Sequence, residues 1–271
     1  MSLFTVDENC VKCGLCAALC PTMAIDFEKG APPRVPQEKE RLCIGCGQCL
    51  CFCPESCCRL DIEENRAEID LSRLPEADAA EVFLLSRRSI RRFQEQPLDE
   101  NLVTRLLEVT RYAPSASNRQ PVRWVLTRDR ARTMALGRPV IEAFKAAIKD
   151  APEDPASGHL ASVVKAWEEG QDVIFRGAPQ LAVALVGKSH PFPEDAAIAL
   201  TYFELAAQAH GVGCCWGGYF TRAARTSEEL RGLVGAGPEE VVVGAQMFGY
   251  PRGLHRPAFL PPRKNIDLTW H

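Results

Sequence analysis

Along this chain the apolar positions first alternate with polar ones over short stretches, then recur at helical spacing, then run continuously. Ala24-Ile25-Asp26-Phe27-Glu28 alternates and meets a turn at Lys29-Gly30, which predicts a short hairpin strand. Leu60-Asp61-Ile62 is its expected counterpart. Residues 63–78 carry many charges and one proline, with no apolar face, and read as a connector. A helix is expected from about Ala79 through Val82-Phe83-Leu84-Leu85 to Arg87-Arg88. Asp99 is placed to cap the next helix, in which Leu102, Val103, Leu106, Leu107 and Thr110 form a stripe at i, i+3, i+4 spacing and Pro114 marks the end.

Val122–Leu126 predicts a buried strand. Residues 129–149 predict helix interrupted at Gly137 and Pro139, and Ala151–Pro155 a break before a helix over roughly His159–Glu169. Leu181–Val186 is continuously apolar, as a central strand buried on both faces should be. Asp195–His210 is Ala-rich with few charges and predicts a helix buried or at an interface. Val241–Pro251 predicts the last strand of the main sheet.

A chain of 271 residues, 46% of them apolar, has material for one or two domains and a sizeable core. The net charge of -3 points to neither nucleic acid nor an anionic membrane. No apolar run approaches the roughly 18 residues of a membrane span, and no basic region followed by an apolar stretch opens the chain. The expectation is therefore a cytoplasmic protein.

Cysteine usage changes the picture. Eleven of the 13 cysteines precede residue 60. Cys10, Cys13, Cys16 and Cys20 are followed by Pro21, and 33 residues later Cys43, Cys46, Cys49 and Cys53 are followed by Pro54. Zinc sites use two ligand pairs with a longer gap, and disulfides suit exported chains, so both fit this repeated spacing poorly. The C-x2-C-x2-C-x3-C-P pattern resembles the bacterial two-cluster ferredoxins, whose fourth cysteine ligates the other cluster. That resemblance implies one 4Fe–4S cluster on Cys10, Cys13, Cys16 and Cys53, and a second on Cys43, Cys46, Cys49 and Cys20. So small a module has little core, and its clusters should supply folding energy. Cys51, Cys57 and Cys58 are left over and are expected to pack as small apolar side chains.

Arg87-Arg88-Ser89-Ile90-Arg91-Arg92-Phe93 concentrates guanidinium groups beside a hydroxyl. Guanidinium forks match phosphate oxygens. A solvated face and a nucleic-acid patch are the alternatives for such a cluster alone, and no second basic stripe supports the latter. Three further stretches follow: Ala113–Pro121, Gly211–Gly218 and Pro261–Lys264. In that order the four resemble the FMN-binding pattern of the nitroreductase family, over roughly residues 80–271. The resemblance implies an α+β chain. Its nitroreductase-like FMN-binding α/β sandwich would span 79–271, joined by the 63–78 linker to a ferredoxin-like domain at 1–62.

It further implies phosphate and pyrimidine-edge contacts from Arg87, Arg88, Ser89, Arg91 and Arg263. Asn118 and Gln120 would bond the flavin or its ribityl chain. Pro114, Ser115 and Ala116 would reach the flavin of the partner subunit in a homodimer with interfacial sites. Trp216, Gly217 and Gly218 would lie near the isoalloxazine, where the glycines let backbone N–H groups approach. No catalytic side chain is expected, since the cofactor carries the chemistry. Gly-x-Ser-x-Gly and Gly-x-Gly-x-x-Gly are both missing, His190 and His210 read as structural or exposed, and Cys214 and Cys215 as small buried residues. Any NAD(P)H donor would stack on the flavin in an open site.

The implied activity is electron passage between clusters and FMN to reduce a small conjugated acceptor such as a nitroaromatic, quinone or enone, with a ferredoxin or other redox protein as partner. Three alternatives stand at this point. NAD(P)H could feed the flavin and the clusters export electrons. The protein could carry electrons or sense redox state without turnover. It could bind DNA through the Arg cluster.

Overall fold

A computed structural model describes residues 3–61, 68–253 and 257–271 of the chain. Ile62, the expected end of a strand, and the first part of the 63–78 connector lie outside the described residues. The rest forms two compact units: residues up to Leu74 with Ser115–Arg119, and Pro75–Pro114 with the chain from Gln120 on.

In the first unit, β1 (Phe4–Val6), α1 (Leu15–Ala18), α2 (Gln48–Cys51) and β2 (Cys58–Leu60) express the sequence repeat as a backbone repeat. Each helix starts after a left-handed glycine, Gly14 at φ 76° and Gly47 at φ 73°. A side chain at Gly14 would collide with the Phe27 ring at 2.4 Å, so glycine is required there twice over. The hairpin expected at Ala24–Gly30 forms through an Asp26–Arg34 bridge. Leu60 does not return to that hairpin but pairs with Phe4 across β1 and β2.

The second unit opens with α3 (Ala77–Ser86) and α4 (Glu100–Thr110). Asp99 caps α4 by accepting from Asn101 N–H at 2.9 Å, as its position predicts. Then come β3 (Arg123–Leu126), α5 (Arg130–Ala135), α6 (Gly137–Asp150), α7 (Ser157–Glu168), β4 (Gln180–Gly187) and α8 (Glu194–Ala209). The chain continues through β5 (Gly213–Trp216), α9 (Gly218–Ala224), α10 (Glu228–Leu233) and β6 (Glu240–Gly249). The strands form one antiparallel sheet in the order β3-β4-β6-β5.

The central strand β4 sorts its side chains by parity. Leu181, Val183 and Leu185 enter a core with Phe144, Phe175 and Phe220. Ala182, Ala184 and Val186 lie on the opposite face, where α8 packs. The small residues on that face let the helix come close. A Cβ at Gly244 would stand 2.6 Å from Leu200 of α8.

Two expectations need correction. The strand at 122–126 sits at a sheet edge and is only half-buried, because β4 covers one side of it and, among the described residues, no strand covers the other. Pro139 does not interrupt a helix; it lies in the first turn of α6, where a missing N–H costs nothing, and the break falls at Leu136. None of the helices among the described residues is long and apolar enough to cross a membrane.

Candidate metal centres and flavin site

The first unit contains two cavities. One, about 380 Å³ with its open mouth included, is lined by Cys43, Cys46 and Cys49 together with Cys20, and by Ala24 and Ile25. The other, about 300 Å³, is lined by Cys10, Cys13 and Cys16 together with Cys53, and by Cys57 and Cys58. Each cavity therefore takes three cysteines from one motif and the fourth from the other. The crossing cysteines are held alike: Ala24 N–H donates to Cys20 Sγ at 3.3 Å, and Cys57 N–H to Cys53 Sγ at 3.4 Å.

The thiol electrostatics follow. Burial pushes the Cys49 thiol up to about 11, with Cys43 and Cys46 adding to the push. Burial raises Cys16 as well. At Cys53 burial acts the same way, but hydrogen bonds from Cys57 outweigh it and bring the thiol down to about 7. At Cys20 burial is outweighed by the Thr22 hydroxyl and the Ala24 N–H, and the thiol is lowered. Four thiols crowded around one small cavity ionise together most readily when a cation neutralises them, and that donor set fits an iron–sulfur cluster. Of the leftover cysteines, Cys57 and Cys58 are buried as expected. Cys51 is not; it points to solvent from the last residue of α2.

In the second unit the Arg87–Phe93 turn is seated on the sheet. Ile90 N–H donates to Cys214 O at 2.8 Å, and Gly213 makes room for Ile90, whose side chain a Cβ there would meet at 2.7 Å. Two of the sequence stretches, 87–93 and 211–218, are thus brought together. Arg87 forms a 2.9 Å ion pair with the buried Glu204 of α8, whose other oxygen accepts from Gln246. Arg88 donates one nitrogen to Arg87 O, and its buried Nη2 has no hydrogen-bond partner. An orphaned cationic donor calls for an anion, so this turn fits a phosphate-bearing cofactor. The Ser89 hydroxyl and the Arg91 and Arg176 guanidiniums face Cys215 and moderate the rise that burial imposes on its thiol. Burial raises Cys214 well above its ordinary range.

Of the glycine pair, Gly217 spends its N–H on Ala245 O at 2.8 Å, so it cannot offer that group to a flavin. Gly218 faces open space, beside a Trp216 that is 41% exposed. Pro114 and Gln120 belong to this unit, whereas Ser115, Ala116 and Asn118 group with the first. The Asn118 amide donates to Ile44 O at 3.2 Å and Gly45 O at 3.0 Å, within the second cysteine motif. Ser117, Asn118 and Gln120 all take positive φ, so this loop is held in a conformation that side chains disfavour. Arg263 lies exposed in the 257–271 segment and donates to Pro262 O at 3.1 Å. Glu204, Gln246 and Arg176 escaped the sequence reading. For the first two, a signal existed: each is a polar residue inside an otherwise apolar helix or strand, and buried polar groups are placed for a partner.

Two cysteine-lined cavities on one unit and an arginine-rich turn seated on the sheet of the other fit a redox protein. Residues 84–250 match the Nitroreductase family, and residues 4–26 match a 4Fe-4S binding domain. The chain belongs to the nitroreductase family and is an FMN-dependent oxidoreductase with a 4Fe–4S binding segment at its N-terminal side. It is 29% identical over 208 residues to a Thermus thermophilus protein named NADH dehydrogenase, spanning 72% of this chain and 97% of that one. In fold it is similar to a Desulfitobacterium hafniense nitroreductase with bound FMN, at TM-score 0.55 and 20% identity over 72% of this chain and all of the other. It is also similar to the Mycobacterium smegmatis FMN-dependent nitroreductase in complex with NADPH, at TM-score 0.50 and 20% identity over 65% and 88% of the chains.

Proposed function

We propose that this oxidoreductase exchanges electrons between two 4Fe–4S clusters and FMN, and reduces a small conjugated acceptor such as a nitroaromatic, quinone or enone. The observation that supports the two-cluster reading is the pair of cavities, each lined by three cysteines of one motif and the crossing cysteine of the other, with Cys57 and Cys58 added in one of them. Cys10, Cys13, Cys16 and Cys53 would hold one cluster, and Cys20, Cys43, Cys46 and Cys49 the other. Anaerobic iron analysis should give about eight irons per chain, the content of two such clusters. A value near half of that removes the second cluster.

On the flavin unit, Arg88, Ser89, Arg91 and Arg263 would grip the phosphate or pyrimidine edge, with Arg87 held ready by Glu204. Gly218, Trp216, Pro114 and Gln120 would border the ring. FMN supplies hydride and single-electron chemistry; the chain supplies cations, shape and exclusion of water. The open space at Gly218 supports an accessible substrate face and so an enzyme rather than a carrier. Arg263→Ala should lower FMN occupancy, because a charge-assisted phosphate contact contributes about 1.5–3 kcal/mol. Unchanged flavin content after dialysis would remove Arg263 from the site.

A homodimer is favoured by α3, which buries none of its residues and exposes Val82, Leu84 and Leu85. Exposed Phe259, Ile266 and Trp270 in the 257–271 segment point the same way. We place the protein in the cytoplasm. A reading with NAD(P)H as donor and the clusters as outlet gains support from the names of the relatives. Anaerobic titration with NADH, NADPH and reduced ferredoxin decides between the two. Flavin bleaching by a nicotinamide makes it the donor, and bleaching by ferredoxin alone makes the cysteine unit the entrance.

A further inference from the structure

The two halves of the cysteine unit are alike in backbone, but Ala24 and Ile25 line one cavity where Cys57 and Cys58 line the other. Met23 at φ 55° and Ser56 at φ 49° occupy equivalent positions, 33 residues apart, and each is followed by the N–H that donates to the crossing cysteine. In the first repeat that N–H belongs to Ala24, a methyl side chain. In the second it belongs to Cys57. Cys57 Sγ lies 3.3 Å from Cys53 Sγ, and the sulfurs of Cys53, Cys57 and Cys58 all fall within 4.8 Å of one another. Cys57 is 2% exposed and lines the same cavity as Cys10, Cys13, Cys16 and Cys53. The other cavity has Ala24 in that place and no spare sulfur there.

We propose that Cys57 is an exchangeable fifth ligand of the cluster held by Cys10, Cys13, Cys16 and Cys53, able to take over the iron from Cys53. The proposal rests on the reading of this cavity as a cluster site. An iron held by Cys53 needs a short displacement to reach Cys57, because the two sulfurs already touch. The exchange forms an Fe–S bond to Cys57 and breaks the one to Cys53. The Cys57 thiol proton passes to the released Cys53 sulfur, and no iron changes oxidation state. Cys53 is the more exposed of the pair, so the arrangement backs an accessible ligand with a buried one. The cluster bearing this reserve should survive loss or oxidation of its crossing ligand, and its twin should not.

Iron content of anaerobically reconstituted full-length protein tests this. Cys53→Ala should retain the wild-type iron count, whereas Cys20→Ala should lose half. The double variant Cys53→Ala/Cys57→Ala should also lose half. Loss of half the iron in Cys53→Ala overturns the proposal, and retention in the double variant overturns the assignment to Cys57 in favour of Cys58. The wild-type count tests the two-cluster reading separately, since the proposal is judged by the ratio of variant to wild type. A kinetic arm covers the case in which Cys53→Ala does not fold. Cys57→Ala should keep full iron but release half of it to a chelator several-fold faster than wild type, and an unchanged release rate counts against a reserve ligand.

Discussion

The two units solve the problem of stability in opposite ways. Around β4 the sheet unit buries Phe144, Phe175, Leu181 and Phe220 on one face and Leu106, Phe203 and Phe248 on the other. The cysteine unit buries Phe4, Ile25 and Val35, and the rest of its core is Cys16, Cys49, Cys57 and Cys58. Four of those seven core side chains are thus thiols. Two of them, Cys16 and Cys49, would ligate metal, and thiols are small side chains that supply less burial than the phenylalanines and leucines of the sheet unit. One unit is held by burial, and the other has so little of it that bound metal is expected to supply part of its folding energy.

That contrast predicts its own largest effect. Anaerobic treatment with a strong iron chelator should unfold the cysteine unit and leave the sheet unit standing, because cluster binding is folding free energy for a small metallo-module. All four tryptophans, Trp124, Trp167, Trp216 and Trp270, belong to the sheet unit, which makes their emission a selective probe. Limited proteolysis should then cut within the first 60 residues while tryptophan emission stays native-like. Simultaneous loss of both signals breaks the comparison.

The reverse perturbation is smaller and acts on the other side. Phe203 is fully buried in α8 and meets Phe248 edge-on at 5.2 Å and Trp124 at 5.9 Å. Phe203→Ala should cost the sheet unit about 3–5 kcal/mol through lost burial and the cavity left behind. Denaturation followed by tryptophan emission should register that loss, with iron content unchanged. A fall in iron would show the units to be coupled more tightly than their separate cores imply.

How much of this was legible in the sequence depended on the range of the interaction involved. The cysteine spacing is local, and its resemblance to two-cluster ferredoxins implied, without tertiary information, the crossed grouping of cysteines that lines the two cavities. The apolar run at Leu181–Val186 and the Asp99 cap are local too. What escaped was set by neighbours distant in sequence. Val122–Leu126 reads as a buried strand from its side chains, but being an edge is a property of the sheet. Arg87 reads as a free cation until Glu204, 117 residues away, is placed beside it. Asn118 reads as a flavin contact, and its amide is committed to the Ile44 and Gly45 carbonyls. Spare cysteines carry no pattern of their own; only the backbone equivalence of Ala24 and Cys57 distinguishes Cys57 from filler.

The smallest effect sharpens the comparison by pH. Glu240 accepts two hydrogen bonds from Arg123, each 2.6 Å, and one from Gly237 N–H at 2.7 Å, fastening the edge strand β3 to the start of β6. The Arg123 guanidinium, then the Gly237 N–H, hold its carboxyl down at about 2. An unfolded Glu titrates near about 4.3, so between these values the unfolded chain binds a proton that the folded chain refuses. Stability from this contact is therefore fully present above about 4.3 and lost as pH falls through about 2. Because Arg123 is largely exposed, solvent screening keeps the contribution small. Urea unfolding of the sheet unit, read by tryptophan emission, should show wild type above Glu240→Gln at pH 6 and the gap closing steadily below pH of about 4. The iron–sulfur absorption of the two proteins should fall together over the same range, since nothing in the Arg123–Glu240 clamp belongs to the cysteine unit. A gap that widens in acid would reverse the sign of the Glu240 linkage and remove the clamp as its source.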